Sequence, residues 1–192
     1  MALVDRVKNI LLTPRTEWEV IDAEPTTVAD LYKGYIIPLA AIGPVAQAIG
    51  YSVFGFSVPF LGSYRTPVGS AVSQAVVTYV LTLVAVFVLA IIIDALAPTF
   101  GGTQNRIQAL KVAAYSYTAS WVAGIFMLIP GLRMLSILGV YSLYLLYLGL
   151  PILMKSPKEK AVSYTVVVIL AAIALFMLIG FVATAFIRMP IG

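Results

Sequence analysis

The chain lacks cysteine and histidine altogether, and only 10% of its 192 residues are charged, compared with about 25% in an ordinary soluble domain. The two missing residue types exclude disulfide bonds, thiolate or imidazole metal sites, cysteine nucleophiles and histidine general bases. We therefore predict a protein that is not an enzyme and that has no catalytic residues, no metal site and no cofactor.

Apolar residues make up the difference: 61% of the chain is hydrophobic, and most of it falls into runs long enough to cross a hydrocarbon layer about 30 Å thick. The predicted fold class is all-α, a polytopic integral membrane protein built as a five-transmembrane-helix bundle with short amphipathic N-terminal helices. We divide it into an interfacial segment (1–29) and a transmembrane domain (30–192). The predicted spans are 31–54, 70–97, 106–129, 134–154 and 161–187.

Prolines interrupt the first predicted span. Pro38 and Pro44 lie inside it, and each removes a backbone N–H and clashes with the carbonyl one turn earlier. The sequence therefore predicts a bent helix whose freed carbonyls need hydrogen-bond partners from a neighbouring helix.

The N-terminal segment has the spacing of an amphipathic helix from Ala2 to Leu12, followed after Thr13-Pro14 by a second short helix. Its polar residues Asp5, Arg6, Lys8 and Asn9 are assigned to the side opposite the apolar ones. An apolar face this short cannot span a bilayer, so we expect it to lie on the inner membrane surface. The expected membrane-surface residues are Leu3, Val7, Ile10 and Trp18.

The distribution of basic residues predicts the topology. With five spans, one side of the membrane receives nine lysines and arginines and the other receives three. The larger group is Arg6, Lys8, Arg15, Lys33, Arg106, Lys111, Lys155, Lys158 and Lys160. The smaller group is Arg65, Arg133 and Arg188. The positive-inside rule then predicts a cytoplasmic N-terminus, with no cleaved signal peptide, and a periplasmic or extracellular C-terminus.

Three segments, Arg6–Glu24, Asp94–Tyr117 and Ile129–Gly149, together resemble the YIP domain family of Rab-interacting polytopic membrane proteins and their bacterial relatives. The resemblance implies five membrane helices, a cytosolic N-terminus, self-association into a homo-oligomer and, in eukaryotic members, roles in vesicle trafficking. Ala119 stands where the family has a proline in the third span. The long polar N-terminal region of eukaryotic members is missing, which favours a bacterial source and hence the inner membrane.

Asp94 is the only acidic residue inside an apolar run, and a carboxylate in a membrane is a candidate functional group. Asp94 and Lys111 each lie about one turn inside their predicted helices, and the connection between them is short. We predict a partly buried ion pair, with Tyr115 beside it. An ion or proton pathway, and snorkelling of the carboxylate to water, are the alternatives.

Two further patterns lie on the third and fourth predicted spans. Tyr141, Tyr144 and Tyr147 recur every third residue and share one helical face, which indicates packing or a polar ligand cavity. Ser116, Ser120 and Gly124 recur every fourth residue and indicate close helix packing. We expect Tyr115, Ser116 and Ser120 to accept hydrogen bonds from the three tyrosines.

These features favour a non-enzymatic, self-associating membrane scaffold or adaptor. Its expected partners are the lipid bilayer, a second copy of the chain and a cytosolic or membrane protein; no nucleic-acid motif is present. The alternative is a small channel or transporter with a polar site around Asp94, Lys111 and the tyrosine face. An intramembrane enzyme ranks third, because neither a carboxylate pair nor a serine–lysine pair is evident.

Overall fold

A computed structural model describes residues 2–58 and 62–186 of the chain. Arg188 and the last residue of the predicted span 161–187 lie outside these described residues. The described part is almost entirely helical. The exception is a small antiparallel hairpin in which β1 (Phe56–Val58) pairs with β2 (Gly62–Tyr64), and the predicted all-α fold class is confirmed.

The helical elements follow the predicted order. The α-helices are α1 (Leu3–Leu12), α2 (Pro14–Ala23), α3 (Val28–Leu31), α4 (Ile37–Ala40), α5 (Ile42–Ile49), α6 (Val68–Leu96), α7 (Arg106–Ser116), α8 (Thr118–Ala123), α9 (Tyr141–Leu153) and α10 (Ala161–Phe186). π-Helical turns lie at Tyr32–Ile36 and Gly50–Phe54. The 3₁₀ segments are Ala97–Phe100, Gly124–Leu128, Pro130–Val140 and Lys158–Lys160.

Within the described residues, four helical runs are long and apolar enough to cross a membrane. They are Val28–Phe54, Val68–Phe100, Pro130–Leu153 and Lys158–Leu178, and they correspond to four of the five predicted spans. The remaining predicted span, 106–129, is also helical, but it is interrupted at Tyr117 and continues as α8 and a 3₁₀ segment.

The first span is irregular around Pro38, as its prolines predict. The N–H of Ile37 bonds to the carbonyl of Tyr32, one residue further back than in an α-helix, which forms a π-turn. The carbonyl of Ile37 accepts a hydrogen bond from the Tyr79 hydroxyl at 3.0 Å, while the Tyr32 hydroxyl donates to the carbonyl of Leu83 at 2.8 Å. A tyrosine of α6 thus satisfies a carbonyl of the first span, and a tyrosine of the first span satisfies a carbonyl of α6, as expected for a broken helix in a membrane.

The break between α7 and α8 forms without a proline. The Thr118 hydroxyl lies 2.7 Å from the carbonyl of Tyr115, a back-bond that competes with the helical ladder and bends helices. The Tyr35 hydroxyl contacts the same Thr118 oxygen at 2.6 Å. The residue at position 119 is alanine, and the back-bonded Thr118 lies one residue before it.

The two ends of the bundle are distinguished by their loop contacts. At one end, called the Met154 end, the N–H of Thr103 donates to the carbonyl of Met154 at 2.8 Å. At the other, called the Gly55 end, the Arg133 guanidinium donates to the carbonyl of Gly55 at 2.9 Å. A Cβ on Gly50 would collide with the carbonyl of Met127, so backbones approach closely at this end.

Candidate functional site

The first two helices form a hairpin, called the N-terminal hairpin, that packs into the bundle. Thr13 ends α1 by donating from its N–H to the carbonyl of Asn9 at 2.8 Å, and Pro14 starts α2 with the backbone angle a first helical position favours. Ile10 and Trp18 are fully buried and belong to the same core cluster as Leu150 of α9. The hairpin is therefore part of the hydrophobic core.

This burial corrects the prediction that the N-terminal helices contact lipid. Ile10 and Trp18 are 0% exposed and touch other parts of the protein, so the membrane-surface prediction is wrong for these two residues. Leu3 and Val7 are half-buried and pack against the same core. The apolar face of α1 was identified correctly, but it packs against the bundle.

The N-terminal hairpin follows α9 along the bundle. The Tyr141 hydroxyl, at the first residue of α9, donates to the carbonyl of Leu11 at 3.2 Å. Past the other end of the helix, the Lys155 ammonium contacts the Asp22 carboxylate at 2.5 Å. Tyr141 and Leu153 are twelve residues apart, so the turn of the hairpin lies about 18 Å along α9 from the Met154 end.

A buried ion-pair network holds the N-terminal hairpin. Arg6 and Glu17 each have only 5% side-chain exposure, and an Arg6 Nη1 to Glu17 Oε1 distance of 2.5 Å joins them. The other guanidinium nitrogen of Arg6 pairs with Glu24, and the guanidinium carbon lies 5.7 Å from the centre of the Tyr115 ring. Burying an arginine is costly unless its donors are satisfied, and these contacts provide that satisfaction.

Arg6 was assigned to the polar side of α1, and that assignment is wrong. Arg6 follows Leu3 by three residues and precedes Ile10 by four, so it lies on the same helical face as both. This spacing, with Glu17 on the next helix and Glu24 directly after it, is the signal that sequence reasoning missed.

Lys111 belongs to the same network, and the predicted Asp94–Lys111 ion pair is not formed. The Lys111 ammonium donates to the carbonyls of Ile21 and Glu24, at 2.8 and 2.7 Å. These carbonyls lie at the end of α2, where a helix has unsatisfied acceptors and partial negative charge. The lysine therefore caps α2, a role the sequence did not indicate because α2 was expected on the membrane surface.

Tyr115 lies where the network meets the core. Its ring centre is 4.5 Å from that of Tyr35 and 6.2 Å, edge-on, from that of Trp18. Tyr115 lies one helical turn from Lys111 on α7, as predicted, but its ring contacts are with Arg6 and these two aromatic rings.

The three tyrosines of α9 lie on its exposed side, with Tyr144 and Tyr147 both 38% exposed. Their predicted acceptors are incorrect, since Tyr141 donates to the backbone of α1. Within the described part of the chain, the hydroxyls of Tyr144 and Tyr147 form no hydrogen bond. This face of α9 is open to lipid or to another protein.

The small residues of the third span have two roles. A Cβ on Gly124 would lie 2.8 Å from the Cα of Gly43, so this residue allows the span to approach α5. The Ser120 hydroxyl lies 3.0 Å from the carbonyl of Gly139 and 2.9 Å from the hydroxyl of Ser142. Both findings agree with the packing interpretation.

The same residues line a cavity of about 490 Å³ between α7, α8, α9 and α10. Its walls are mostly apolar and include Leu146, Ile169 and Phe176. The Ser116 hydroxyl is buried in this region without a hydrogen-bond partner in the described structure. The cavity is compatible with a hydrocarbon chain, but Ser116 also belongs to the close-packed stripe.

Asp94 lines a different pocket, of about 530 Å³, near the Met154 end of the bundle. The side chain is half-buried, and its Oδ1 atom is buried without a hydrogen-bond partner. Arg106 and Gln104 line the same pocket. The groups that the transport hypothesis combined are therefore separate: Asp94 lies in this pocket, Lys111 is bonded to the end of α2, and the tyrosines lie on the outside of α9.

Together these features define a polytopic helical membrane protein whose N-terminal hairpin is packed into the bundle. The chain belongs to the Yip1 domain family, since the family model for the Yip1 domain matches residues 8–180. The predicted resemblance is thus confirmed.

Curated relatives include the "Inner membrane protein YohC" of Escherichia coli strain K12 and the protein of the same name from strain O6:H1. Each is 24% identical over 166 residues, which cover 84% of this chain and 85% of the relative. No solved structure matches the chain. The family, the relatives and the apolar helices agree on an integral membrane protein.

Proposed function

We propose that the chain is a non-enzymatic membrane scaffold or adaptor that presents its N-terminal hairpin to a protein partner. The observation that carries this proposal is the hairpin's construction: its inner face is held by buried ion pairs, while its outer face bears exposed charges. The exposed charged residues are Asp5, Lys8, Arg15 and Glu19. Placing these charged side chains against lipid hydrocarbon would cost free energy, so the outer face of the hairpin meets water or a polar partner.

A rigid surface is better suited to specific recognition than a mobile tail, because less conformational entropy is lost on binding. The outer face carries two residues of each sign, so the complementary partner surface is one of mixed charge. A cytoplasmic hairpin follows from the basic-residue distribution, inner-membrane residence is supported by the relatives of that description, and both are part of the proposal.

The test is site-specific photo-crosslinking in native membranes from a probe at Leu12, which is 69% exposed on the same hairpin, followed by purification. We expect one stoichiometric protein partner, lost when Lys8 and Arg15 are both replaced by glutamate, while thermal stability in detergent is unchanged. The matched control replaces Lys158 and Lys160, exposed at the Met154 end, by glutamate. Equal crosslinking in both variants contradicts the proposal, and a solute flux in liposomes without any partner supports the transport alternative.

The proposal includes five spans with the termini on opposite sides. In support, the run from Arg106 to Leu128 passes from one end of the bundle to the other. Gln108 contacts Asp22 at the Met154 end through hydrogen bonds of 3.1 Å, and Met127 lies against Gly50 near the Gly55 end. A segment that reaches both ends crosses whatever membrane the neighbouring helices cross.

We further propose that the exposed tyrosines of α9 mediate self-association into a homo-oligomer. A phenol hydroxyl in hydrocarbon lacks an acceptor, whereas a second copy of the chain supplies one. Replacing Tyr144 and Tyr147 by phenylalanine should reduce the dimer fraction in detergent and leave the fold intact. Val162→Ala, which changes a 61% exposed side chain on α10, is the control, and an unchanged dimer fraction in the phenylalanine variant contradicts this surface.

A further inference from the structure

The pocket that contains Asp94 combines opposite charges with an apolar wall. It lies between the end of α6, the start of α7 and the start of α3, and its volume of about 530 Å³ is within the range of about 300–1,000 Å³ that is typical of ligand sites. Three polar side chains converge on it, Asp94, Gln104 and Arg106, and the other lining residues are apolar.

Asp94 needs a partner that the described part of the chain does not supply. Its Oδ1 atom is buried and accepts no hydrogen bond there, which costs more than an exposed carboxylate oxygen would. Lys111, the cation predicted to pair with Asp94, is already bonded to two carbonyls at the end of α2. A ligand ammonium that enters the pocket would supply both the missing donor and the compensating charge.

Arg106 provides the opposite charge on the same pocket. It is exposed and, among the residues that the structure describes, belongs to none of the ion pairs, so its guanidinium remains available. Guanidinium groups bind phosphate well because their planar donors match its oxygens. Asp94 and Arg106 line one pocket without pairing with each other, which leaves room between them for a group that carries both charges.

The apolar side of the pocket continues along α6. Phe87 and Ile91 line the pocket and are 44% and 51% exposed, and Val80 and Val84, further along the helix, are 50% and 54% exposed. Asp94 lies at the end of this stripe, where the apolar run stops and the polar connection begins. A ligand with a charged head at Asp94 would therefore place hydrocarbon chains along α6.

From this arrangement we propose that the pocket binds the headgroup of a zwitterionic phospholipid with a primary amine, of the phosphatidylethanolamine type. The ammonium donates to the Asp94 carboxylate, the phosphate lies against Arg106, and the acyl chains follow the stripe on α6. A choline headgroup lacks the N–H donors that Asp94 requires, and a glycerol headgroup lacks the positive charge.

The experiment is native mass spectrometry of the full chain, released from detergent after equilibration with equal amounts of phosphatidylethanolamine, phosphatidylcholine and phosphatidylglycerol. We expect one bound phosphatidylethanolamine per chain in preference to the other two lipids. Charge-assisted hydrogen bonds of this kind correspond to a preference on the order of tenfold. Equal retention of the three lipids by the unmodified protein overturns the proposal without any variant.

Two variants locate the site. Asp94→Asn should remove the preference for phosphatidylethanolamine over phosphatidylcholine, and Arg106→Gln should weaken retention of all three phospholipids. The controls Glu159→Gln and Lys158→Gln remove the same charges at exposed positions and should retain the wild-type preference. An unchanged preference in Asp94→Asn overturns the assignment, and displacement of the lipid by soluble phosphoethanolamine at equal concentration overturns the role of the acyl chains.

Discussion

The buried ion pair of the N-terminal hairpin makes a quantitative prediction. In Arg6→Met, the Glu17 carboxylate stays buried without its cation, and breaking a buried pair in this way costs about 3–5 kcal/mol. In Glu17→Leu, Arg6 keeps its contacts with Glu24 and the Tyr115 ring, so we expect a smaller cost of about 1–3 kcal/mol.

The double variant decides whether the two side chains act as a pair. With Arg6→Met and Glu17→Leu together, neither charge is buried alone, and the apolar replacements fill much of the same volume. Replacement of a whole buried pair is often close to neutral. We therefore expect the double variant to be more stable than Arg6→Met alone, with a coupling energy of about 1–3 kcal/mol.

The assay uses tryptophan fluorescence, because Trp18 is fully buried against the bundle and the chain has only two tryptophans. In a Trp121→Phe background, a red shift and increased acrylamide quenching report release of the hairpin during thermal unfolding in detergent. Arg6→Met should release Trp18 at a lower temperature than the parent, and the double variant should recover part of that loss.

The exposed pair between Asp22 and Lys155 is the matched control on the same hairpin. Its side chains are 25% and 53% exposed, and solvent-exposed pairs contribute about 0–1 kcal/mol. Lys155→Met should therefore shift the Trp18 transition little. Additive effects of the Arg6 and Glu17 substitutions, or a larger shift for Lys155→Met than for Arg6→Met, would refute the reasoning.

Three other predictions test the packing and the topology. Gly149→Ala should lower the free energy that holds the N-terminal hairpin against the bundle by about 1–2 kcal/mol, because its Cβ would lie 2.7 Å from the Trp18 ring. Gly34→Ala is the control: its Cβ would meet nothing within 4 Å, so Trp18 fluorescence should not change. Gly124→Ala should lower the melting temperature in detergent more than Gly43→Ala, because the first Cβ meets backbone at 2.8 Å and the second at 3.9 Å; equal shifts would contradict the close approach. Reporter fusions at both termini should report opposite sides of the membrane, and the same side for both would remove the fifth span.

Much of the fold could be predicted because bilayer thickness and backbone hydrogen bonding impose simple requirements on sequence. The apolar runs predicted three of the observed spans to within four residues at each end, and a fourth, 161–187, whose observed counterpart ends at Leu178. Thr13-Pro14 marked the boundary between α1 and α2. The irregular first span followed from Pro38. The interruption at Tyr117 was harder to foresee, because Thr118 can bond either to the backbone or to a distant group such as Tyr35.

The candidate site was less predictable, because its partners are distant in the chain. Asp94 was identified correctly as an unusual carboxylate, but Lys111 lies far in sequence from the carbonyls of Ile21 and Glu24 that it binds. The short connection between α6 and α7 favoured an Asp94–Lys111 ion pair because α2 was expected on the membrane surface, away from Lys111. Because the N-terminal hairpin docks beside Lys111, the carbonyls of Ile21 and Glu24 lie within hydrogen-bond distance of its ammonium, and Asp94 does not.

The sequence by itself determined that this chain is a helical membrane protein, since no water-soluble fold can bury so much apolar surface, and it determined which face of α1 is apolar. Only the tertiary structure decided what that face touches. Lipid and a protein core are both apolar, so the transfer from water favours Ile10 and Trp18 equally in either surrounding. The choice came from contacts that depend on three-dimensional proximity: Arg6 with Glu17, Lys111 with the end of α2, and Gly149 with the Trp18 ring.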